Sequence, residues 1–150
     1  MEELVKVMNL GTYDVLHYGH LSLLKFCKQL AGDDEVIIGL NTAKFVKMFK
    51  GQKPVMSFEE RKKTLLALPF VDRVVENKQP KKNAGVVMLE NDARIIVSGM
   101  DWLEKDLLKL WGIKSDWLNK HGIGVCFYPF YETKKMSSSL IKERIRKLAL

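Results

Sequence analysis

The sequence predicts an α/β fold, a doubly wound, Rossmann-like domain with a five-stranded parallel sheet in the order 3-2-1-4-5 and helices on both faces. Five short apolar runs rich in Val and Ile are near-continuous, which is typical of strands buried on both faces. Helical patterns alternate with these runs from end to end, as right-handed crossovers in a parallel sheet require. Because 150 residues suit one core, we expect residues 1–150 to form a single domain.

Each element has its own signal in the chain. The predicted strands are residues 4–10, 35–40, 71–76, 94–98 and 123–128. Apolar and basic residues at helical spacing over 21–30 predict the first helix, which the AGDD sequence at 31–34 ends. Ser57 and Glu60 form a capping box that opens a helix ended by Pro69, with Leu65, Leu66 and Leu68 expected in the core. Weaker helical patterns cover 83–91, 102–111 and 116–121, and a last helix follows the serines at 137–139.

Composition narrows the class of protein. The formal charge of +7 and the pI near 9.4 favour polyanionic partners such as nucleotides, sugar phosphates, RNA or anionic membranes, without choosing among them. The apolar runs are strand-sized, shorter than the roughly 20 residues that span a bilayer. The acidic start of the sequence is unlike a signal peptide, so we expect a cytoplasmic protein. Cys27 and Cys126 lack metal-ligand spacing, and we expect both to be buried as small hydrophobic residues.

The most informative segment follows the first predicted strand, with the sequence GTYDVLHYGH at residues 11–20. His17 and His20 lie three apart at the start of a helix, so they share a face where free backbone N–H groups and the helix dipole favour a phosphate. Gly11 permits a tight turn, Gly19 lets a ligand approach the backbone, and Thr12 offers a hydroxyl. A simpler alternative is that His17 is a capping or core histidine and the glycines only make the turn.

This segment resembles the G-T-F-D-x-x-H-x-G-H signature of the cytidylyltransferase family, part of the wider H-x-G-H nucleotidyltransferase superfamily, with Tyr13 in place of Phe. The resemblance implies that His17 and His20 are catalytic, contacting the nucleotide phosphates and stabilising charge as the α-phosphorus is attacked, without a protein nucleophile. Asp14 would hold the turn or orient a histidine. The residues implied to bind nucleotide in this segment are Gly11, Thr12, Tyr13, Asp14 and Gly19.

Two basic positions resemble the family's K-G-x-x-P loop and E-x-R helix start. The resemblance implies that Lys50 is catalytic and that Arg61 helps to hold the phosphates or the acceptor, whereas the alternative for each is a solvated charge. The segment from Lys47 to Lys53 is polar and contains Gly51, so we expect a flexible loop that closes over the triphosphate.

Residues 99–102 are similar to the G-D-D-W stretch of glycerol-3-phosphate cytidylyltransferases, although Met100 replaces the first acid. The resemblance places Asp101 and Trp102 at the nucleotide and acceptor pocket, while the alternative for Trp102 is a core position. The likeness is weakest between residues 103 and 120, where this sequence is longer than the short members of the family, and the identity of the acceptor therefore stays open.

Near the end, Ser137, Ser138 and Ser139 align with the family's R-T-E-G-I-S-T-T motif and are implied to bind nucleotide at a second helix N-terminus. The family's arginine is missing. Lys134 or Lys135 would replace it as a point charge, and Lys135 is the better candidate because it directly precedes Met136 and the serines, as in the K-M-S-K-S loop of class I aminoacyl-tRNA synthetases.

Taken together, the resemblance implies an enzyme that joins CTP to a phosphorylated alcohol such as glycerol 3-phosphate, releasing CDP-alcohol and pyrophosphate. It also implies a Mg²⁺ requirement without a protein metal site, and a homodimer, with neither nucleic acid nor membrane as partner. An adenylyltransferase of the same superfamily with another phosphate acceptor is one alternative. A non-catalytic nucleotide- or RNA-binding module is the other.

Overall fold

The strands form one parallel sheet in the order β3-β2-β1-β4-β5. The structure is a computed structural model that describes residues 4–79, 84–103, 105–129 and 137–149. Its elements are β1 (Val7–Gly11), α1 (Tyr18–Ala31), β2 (Val36–Asn41), α2 (Ala43–Lys50), α3 (Phe58–Leu66), β3 (Arg73–Asn77), α4 (Gly85–Glu90), β4 (Ile95–Gly99), a 3₁₀ helix (Met100–Leu103), α5 (Leu107–Trp111), α6 (Ser115–His121), β5 (Gly124–Tyr128) and α7 (Ser138–Leu148). The predicted fold class and strand order are confirmed.

Two apolar clusters lie on opposite faces of the sheet. One joins β1 and β2 to α1 and α3 through residues such as Leu24, Cys27 and Leu65. The other joins the same strands to α4, α5 and α6 through residues such as Met88 and Trp111. Side chains must leave a strand alternately on its two faces, so these clusters explain why the strands are apolar without interruption. Cys27 is buried as predicted, and Cys126 is half-buried.

Polar side chains gather where the parallel strands end. Asn41 ends β2, Asn77 ends β3, and Ser98 lies one residue before the end of β4. Because the strands run in the same direction, these residues meet the loop after β1 at one edge of the sheet. Residues far apart in the chain thus lie together at the edge where such folds bind ligands.

The helix α2 corrects part of the predicted flexible loop at residues 47–53, because residues 47–50 are helical and only 51–53 lie beyond the helix. Thr42 caps it by accepting the N–H of Phe45, and Gly51 ends it in the left-handed conformation, with φ of 79°. Phe45 and Val46 are buried. Lys47 and Lys50 therefore lie in the last helical turn, where cations also complement the helix dipole.

Three smaller differences concern helices. Residues 102–111 do not form one helix, because a 3₁₀ helix ends at Leu103 and α5 begins only at Leu107, capped by Asp106. The helices predicted at 83–91 and 116–121 are found as α4 and α6. In α3, Leu65 is buried and Leu68, just after it, packs on the core, but Leu66 is 44% exposed, since it follows Leu65 on the outer face. No helix in the described parts of the chain is long and apolar enough to cross a membrane.

Candidate active site

A cleft of about 210 Å³ opens at the carboxyl edge of the sheet. Its walls come from the loop after β1, the ends of β2, β3 and β4, and the helices α2, α5 and α7. Residues that line it include Gly11, Thr12, Tyr13, Asp14, His20, Asn41, Phe45, Lys50, Asn77, Gln79, Ser98, Trp102, Trp111 and Ser138. The sequence segments singled out for chemistry are therefore largely brought to one place.

His17 and His20 form a stacked pair at the start of α1, with ring centroids 3.9 Å apart. His17 is the N-cap residue, and its Nδ1 accepts the N–H of Gly19 at 3.1 Å. In return, the N–H of His17 donates to Nδ1 of His20 at 3.3 Å. His17 is thus a capping histidine, as the simpler alternative supposed, but the arrangement also fixes both rings.

These hydrogen bonds determine where the imidazole protons lie. Each Nδ1 accepts a backbone N–H, so each neutral ring carries its proton on Nε2. Burial lowers the pKa of His17. Burial, followed by the nearby His17 and Lys50, lowers the pKa of His20 to about 3. At neutral pH the pair therefore consists of two uncharged rings, and each Nε2–H donor lacks a partner in the described parts of the chain.

The depressed pKa of His20 predicts a pH dependence of stability. Because the native pKa of about 3 lies below the ordinary value of 6.5, the unfolded chain binds the extra proton first, and stability is lost as the pH falls below about 6.5. We expect His20→Gln to remove this loss, because glutamine can still accept the N–H of His17 without titrating.

Urea unfolding of both proteins at pH 7 and pH 5 measures the effect. Between pH 7 and pH 5 the free energy of unfolding should fall by about 1–2 kcal/mol more in the wild type than in His20→Gln. The carboxylates titrate alike in both proteins and cancel in the comparison. An equal loss in the two proteins would contradict the neutral, buried state of His20.

Tyr13 has a hydroxyl that the family's Phe lacks, and this hydroxyl forms a buried hydrogen bond. Its hydroxyl donates to Oδ1 of Asn9 at 2.5 Å, and Asn9 in turn donates to the carbonyl of Val97 on β4. The ring lies 4.9 Å from that of His20, and burial raises the pKa of Tyr13 well above its ordinary value, so the phenol stays neutral. A Cβ atom at Gly11 would lie 2.7 Å from the Tyr13 ring. Gly11 is therefore needed for the close approach of Tyr13.

Asp14 joins three segments of the chain. Its carboxylate accepts the N–H groups of Val55 and Met56, at 2.9 and 2.8 Å, and forms an ion pair with Lys142 of α7. Although burial opposes ionisation, the hydrogen bonds from Lys142 and from these two N–H groups hold the pKa of Asp14 below its ordinary value. In these contacts Asp14 holds the loop to its neighbours and orients neither histidine.

Arg61 lies beneath the same loop and is completely buried. Its Nη1 donates to the carbonyls of Thr12 and Asn41, at 2.8 and 2.9 Å, and its Nε donates to that of Met56. These contacts give Arg61 a structural role. Its Nη2 has no partner among the described residues, and contact with a substrate phosphate stays a prediction.

Lys50 lines the cleft at the end of α2. Burial of its ammonium and the nearby Lys142 lower the pKa of Lys50, although Asp14 partly opposes this. Two cations that repel each other in the free protein would be stabilised by a bound anion. Lys50 is therefore placed where it could meet a phosphate.

The three serines predicted to bind nucleotide lie in different environments. Ser137 caps α7 by accepting the N–H of Leu140, Ser138 lines the cleft and donates to the carbonyl of Val15, and Ser139 is exposed. Lys134 and Lys135 lie outside the described residues, so their predicted role is untested. Trp102 lines the cleft, whereas Asp101 lies outside its lining and pairs with Lys105 at 3.5 Å.

Sequence reasoning missed several residues of the site: Asn41, Asn77, Gln79, Ser98 and Lys142. The first four lie within two residues of the end of an apolar strand, and their position at the carboxyl edge is a signal that the sequence contains. Lys142 carries no such signal, because its partner Asp14 is 128 residues away.

The described residues contain no group of three or more His, Cys, Asp or Glu side chains that could hold a metal. Asp14 is the carboxylate that lines the cleft, and its oxygens already face Lys142 and two N–H groups. The Mg²⁺ requirement implied by the resemblance stays a prediction.

A doubly wound sheet whose first helix begins with two neutral imidazole donors, near the ammonium group of Lys50, is suited to binding phosphate groups. The family model described as cytidylyltransferase-like matches residues 8–144. The chain belongs to this family and is a nucleotidyltransferase.

Curated relatives and solved structures agree with this assignment. Glycerol-3-phosphate cytidylyltransferase from Bacillus subtilis (strain 168) is 34% identical over 69% of this chain and 78% of its own length. The bifunctional protein HldE from Helicobacter pylori (strain Shi470) is 37% identical over 65% of this chain, which corresponds to 20% of that protein. The lipopolysaccharide core biosynthesis protein from Thermoplasma volcanium GSS1 has a similar structure, with a TM-score of 0.66 and 26% identity over 85% of this chain and 96% of its own.

Proposed function

We propose that this enzyme transfers a cytidylyl group from CTP to a phosphorylated alcohol and releases pyrophosphate. The observation that carries the proposal is the stacked pair of neutral histidines at the start of α1, in which His20 lines the cleft and His17 stacks on it, each with an Nε2–H donor. Hydrogen-bond donors fixed in advance are suited to stabilise charge that develops on a phosphate in the transition state.

In the proposed reaction an oxygen of the acceptor phosphate attacks the α-phosphorus of CTP in line. The new P–O bond forms as the bond between the α-phosphorus and the bridging oxygen breaks, and pyrophosphate leaves with that electron pair. The acceptor phosphate is already ionised at neutral pH, so no general base is needed. His17 and His20 would donate to the α-phosphate, and Lys50 would neutralise charge beside it. Mg²⁺ would enter with CTP and neutralise part of the triphosphate charge.

The choice of CTP and of a phosphorylated alcohol rests on the relatives, since glycerol-3-phosphate cytidylyltransferases from Bacillus subtilis and Staphylococcus aureus are among them. Base choice in such enzymes rests on few contacts, which the sequence pattern does not locate. Transfer of an adenylyl group to another phosphate acceptor is therefore the second candidate.

A pyrophosphate-release screen tests the proposal. It crosses CTP, ATP, GTP and UTP, each with Mg²⁺, with glycerol 3-phosphate, sugar 1-phosphates, phosphocholine and phosphoethanolamine. CTP should support release with at least one acceptor, and no release should occur without an acceptor. Release with ATP alone would favour the adenylyltransferase. Salt-dependent RNA binding without pyrophosphate release would indicate a binding module instead.

Lys142 is expected to act on the triphosphate, because it lies beside Asp14 in the second turn of α7 and influences Lys50 electrostatically. Loss of one charge-assisted contact should lower kcat/KM for CTP by about 10–100-fold in Lys142→Met. Lys142→Arg should keep most of the activity. The matched control is Lys147→Met on the same helix, since Lys147 is exposed and pairs with Glu143.

Steady-state kinetics with varied CTP, together with thermal unfolding, measures this effect. A decrease of less than twofold in a folded Lys142→Met enzyme would contradict the role. In that case Lys134 and Lys135 remain the candidates for the cation.

A further inference from the structure

Gln79 is a buried polar residue of the cleft that the proposed reaction does not use. It follows β3, lines the cleft and is 6% exposed. Its side-chain carbonyl, Oε1, is buried without a hydrogen-bond partner in the described parts of the chain. A buried carbonyl that lacks a donor destabilises the free protein, and the cost is recovered when a donor arrives.

The neighbouring amides differ from Gln79 because they are already paired. Asn77 donates to Oδ1 of Asn41 at 2.8 Å, and Asn41 donates to Oγ1 of Thr12 at 3.1 Å. This chain of bonds fixes the ends of β2 and β3 to the loop after β1. Gln79 lines the same cleft as these two fixed amides, but its Oε1 has no partner among the described residues.

The backbone at Gln79 is also strained, with φ of 37°. Tyr13, Gln79 and Asp92 are the non-glycine residues with positive φ in the described chain, and the first two line the cleft. Such conformations persist where the surrounding structure holds them, often at ligand sites. The strain supports a functional reason for the position of Gln79.

The charges around Gln79 indicate the kind of ligand. In the lining of the cleft, Lys50 offers a cation for a phosphate, while Asn41, Asn77 and Gln79 are neutral. The carboxylate that lines the cleft, Asp14, is paired with Lys142. The described residues thus provide no free anion for an ammonium group but do provide a carbonyl for a hydroxyl.

We propose that Gln79 binds a hydroxyl group of the acceptor, and that the enzyme selects phosphorylated polyols over phosphorylated amino alcohols. This inference rests on the proposed function. The amide turns toward the cleft when the acceptor enters, and its Oε1 accepts the hydrogen bond of a hydroxyl on the carbon chain. The acceptor phosphate lies toward Lys50.

The test compares kcat/KM for glycerol 3-phosphate and for propyl phosphate, which lacks both hydroxyls, at saturating CTP. A parallel arm compares hexose 1-phosphates with their monodeoxy analogues. The wild type should prefer the hydroxylated member of a pair by about 10–100-fold, and Gln79→Leu should reduce this preference to less than about threefold. Gln79→Glu keeps an acceptor oxygen and should keep the preference. The KM for CTP should not change.

Gln29→Leu, an exposed change of the same type on α1, is the matched control and should behave as the wild type. If Gln79→Leu does not fold, the test relies on the preference for the hydroxylated acceptor in the wild type and in Gln79→Glu. The proposal is overturned if Gln79→Leu lowers kcat/KM equally for both members of a pair, if its preference among nucleotides changes instead, or if phosphocholine or phosphoethanolamine is the better acceptor. Absence of turnover with every acceptor would overturn the proposed function, and this proposal with it.

Discussion

Replacement of His17 or His20 by alanine is expected to lower kcat by roughly 10²–10³-fold, the loss seen when one preorganised donor to a transition-state charge is removed. Each substitution deletes a free Nε2–H and also one hydrogen bond at the start of α1. We expect kcat to change more than the KM for CTP, because the donors act mainly on charge that develops during the reaction. Single-turnover measurement of pyrophosphate release reports the chemical step directly.

His121 offers the matched control, because it is the remaining histidine of the chain and its Nδ1 lies 2.7 Å from the carbonyl of Trp117 at the end of α6. His121→Ala should keep wild-type turnover. To separate chemistry from capping, His17→Asn and His20→Gln can still accept the backbone N–H and should restore stability but not turnover. Wild-type turnover in either alanine variant would show that the pair is only structural.

Replacement of Arg61 by methionine is expected to lower the free energy of unfolding by about 2–4 kcal/mol. The substitution leaves the carbonyls of Thr12, Asn41 and Met56 without their donor in a buried site. Because these carbonyls hold the loop after β1 against β2 and residue 56, activity should fall together with stability. Arg61→Lys should recover only part of the lost stability, since one ammonium cannot reproduce the hydrogen bonds of the planar guanidinium.

Urea unfolding measures the effect, with Lys63→Met as an exposed control on the same helix. A stable Arg61→Met protein with a raised KM for the acceptor would contradict the structural role and favour the predicted phosphate contact. The structural role predicts a loss of stability in Arg61→Met, whereas the phosphate contact predicts a raised KM in a stable protein.

The sheet and the first loop could be predicted from the sequence because their signals are local. Continuous apolar runs require two covered faces, and the histidine spacing places both rings at one helix start whatever the rest of the chain does. The helix α2 also has local signals, namely the cap at Thr42 and the glycine at 51. It was missed because the lysines between them suggested a loop.

Other parts of the site depend on contacts between residues that are far apart in the sequence. Nothing near Lys142 in the sequence indicates Asp14, and nothing near Gln79 indicates an unpaired carbonyl in a cleft. Arg61 was expected to bind phosphate, but its burial follows from the way α3 packs under the loop after β1. Contacts of this kind depend on the assembled fold, so a pattern in one segment cannot reveal them.

The helix α7 has no buried residue, and its described contacts with the loop after β1 are polar, through Ser138 and Lys142. A segment held in this way undocks at a small fraction of the global unfolding free energy. Its amide protons should therefore exchange with solvent by local opening, well before those of β1 and β2. Whenever α7 undocks, the cleft loses the hydroxyl of Ser138, and Asp14 loses its ion pair with Lys142. If the nucleotide contacts α7, its binding should order this helix, and the protection of the α7 amides from exchange should rise.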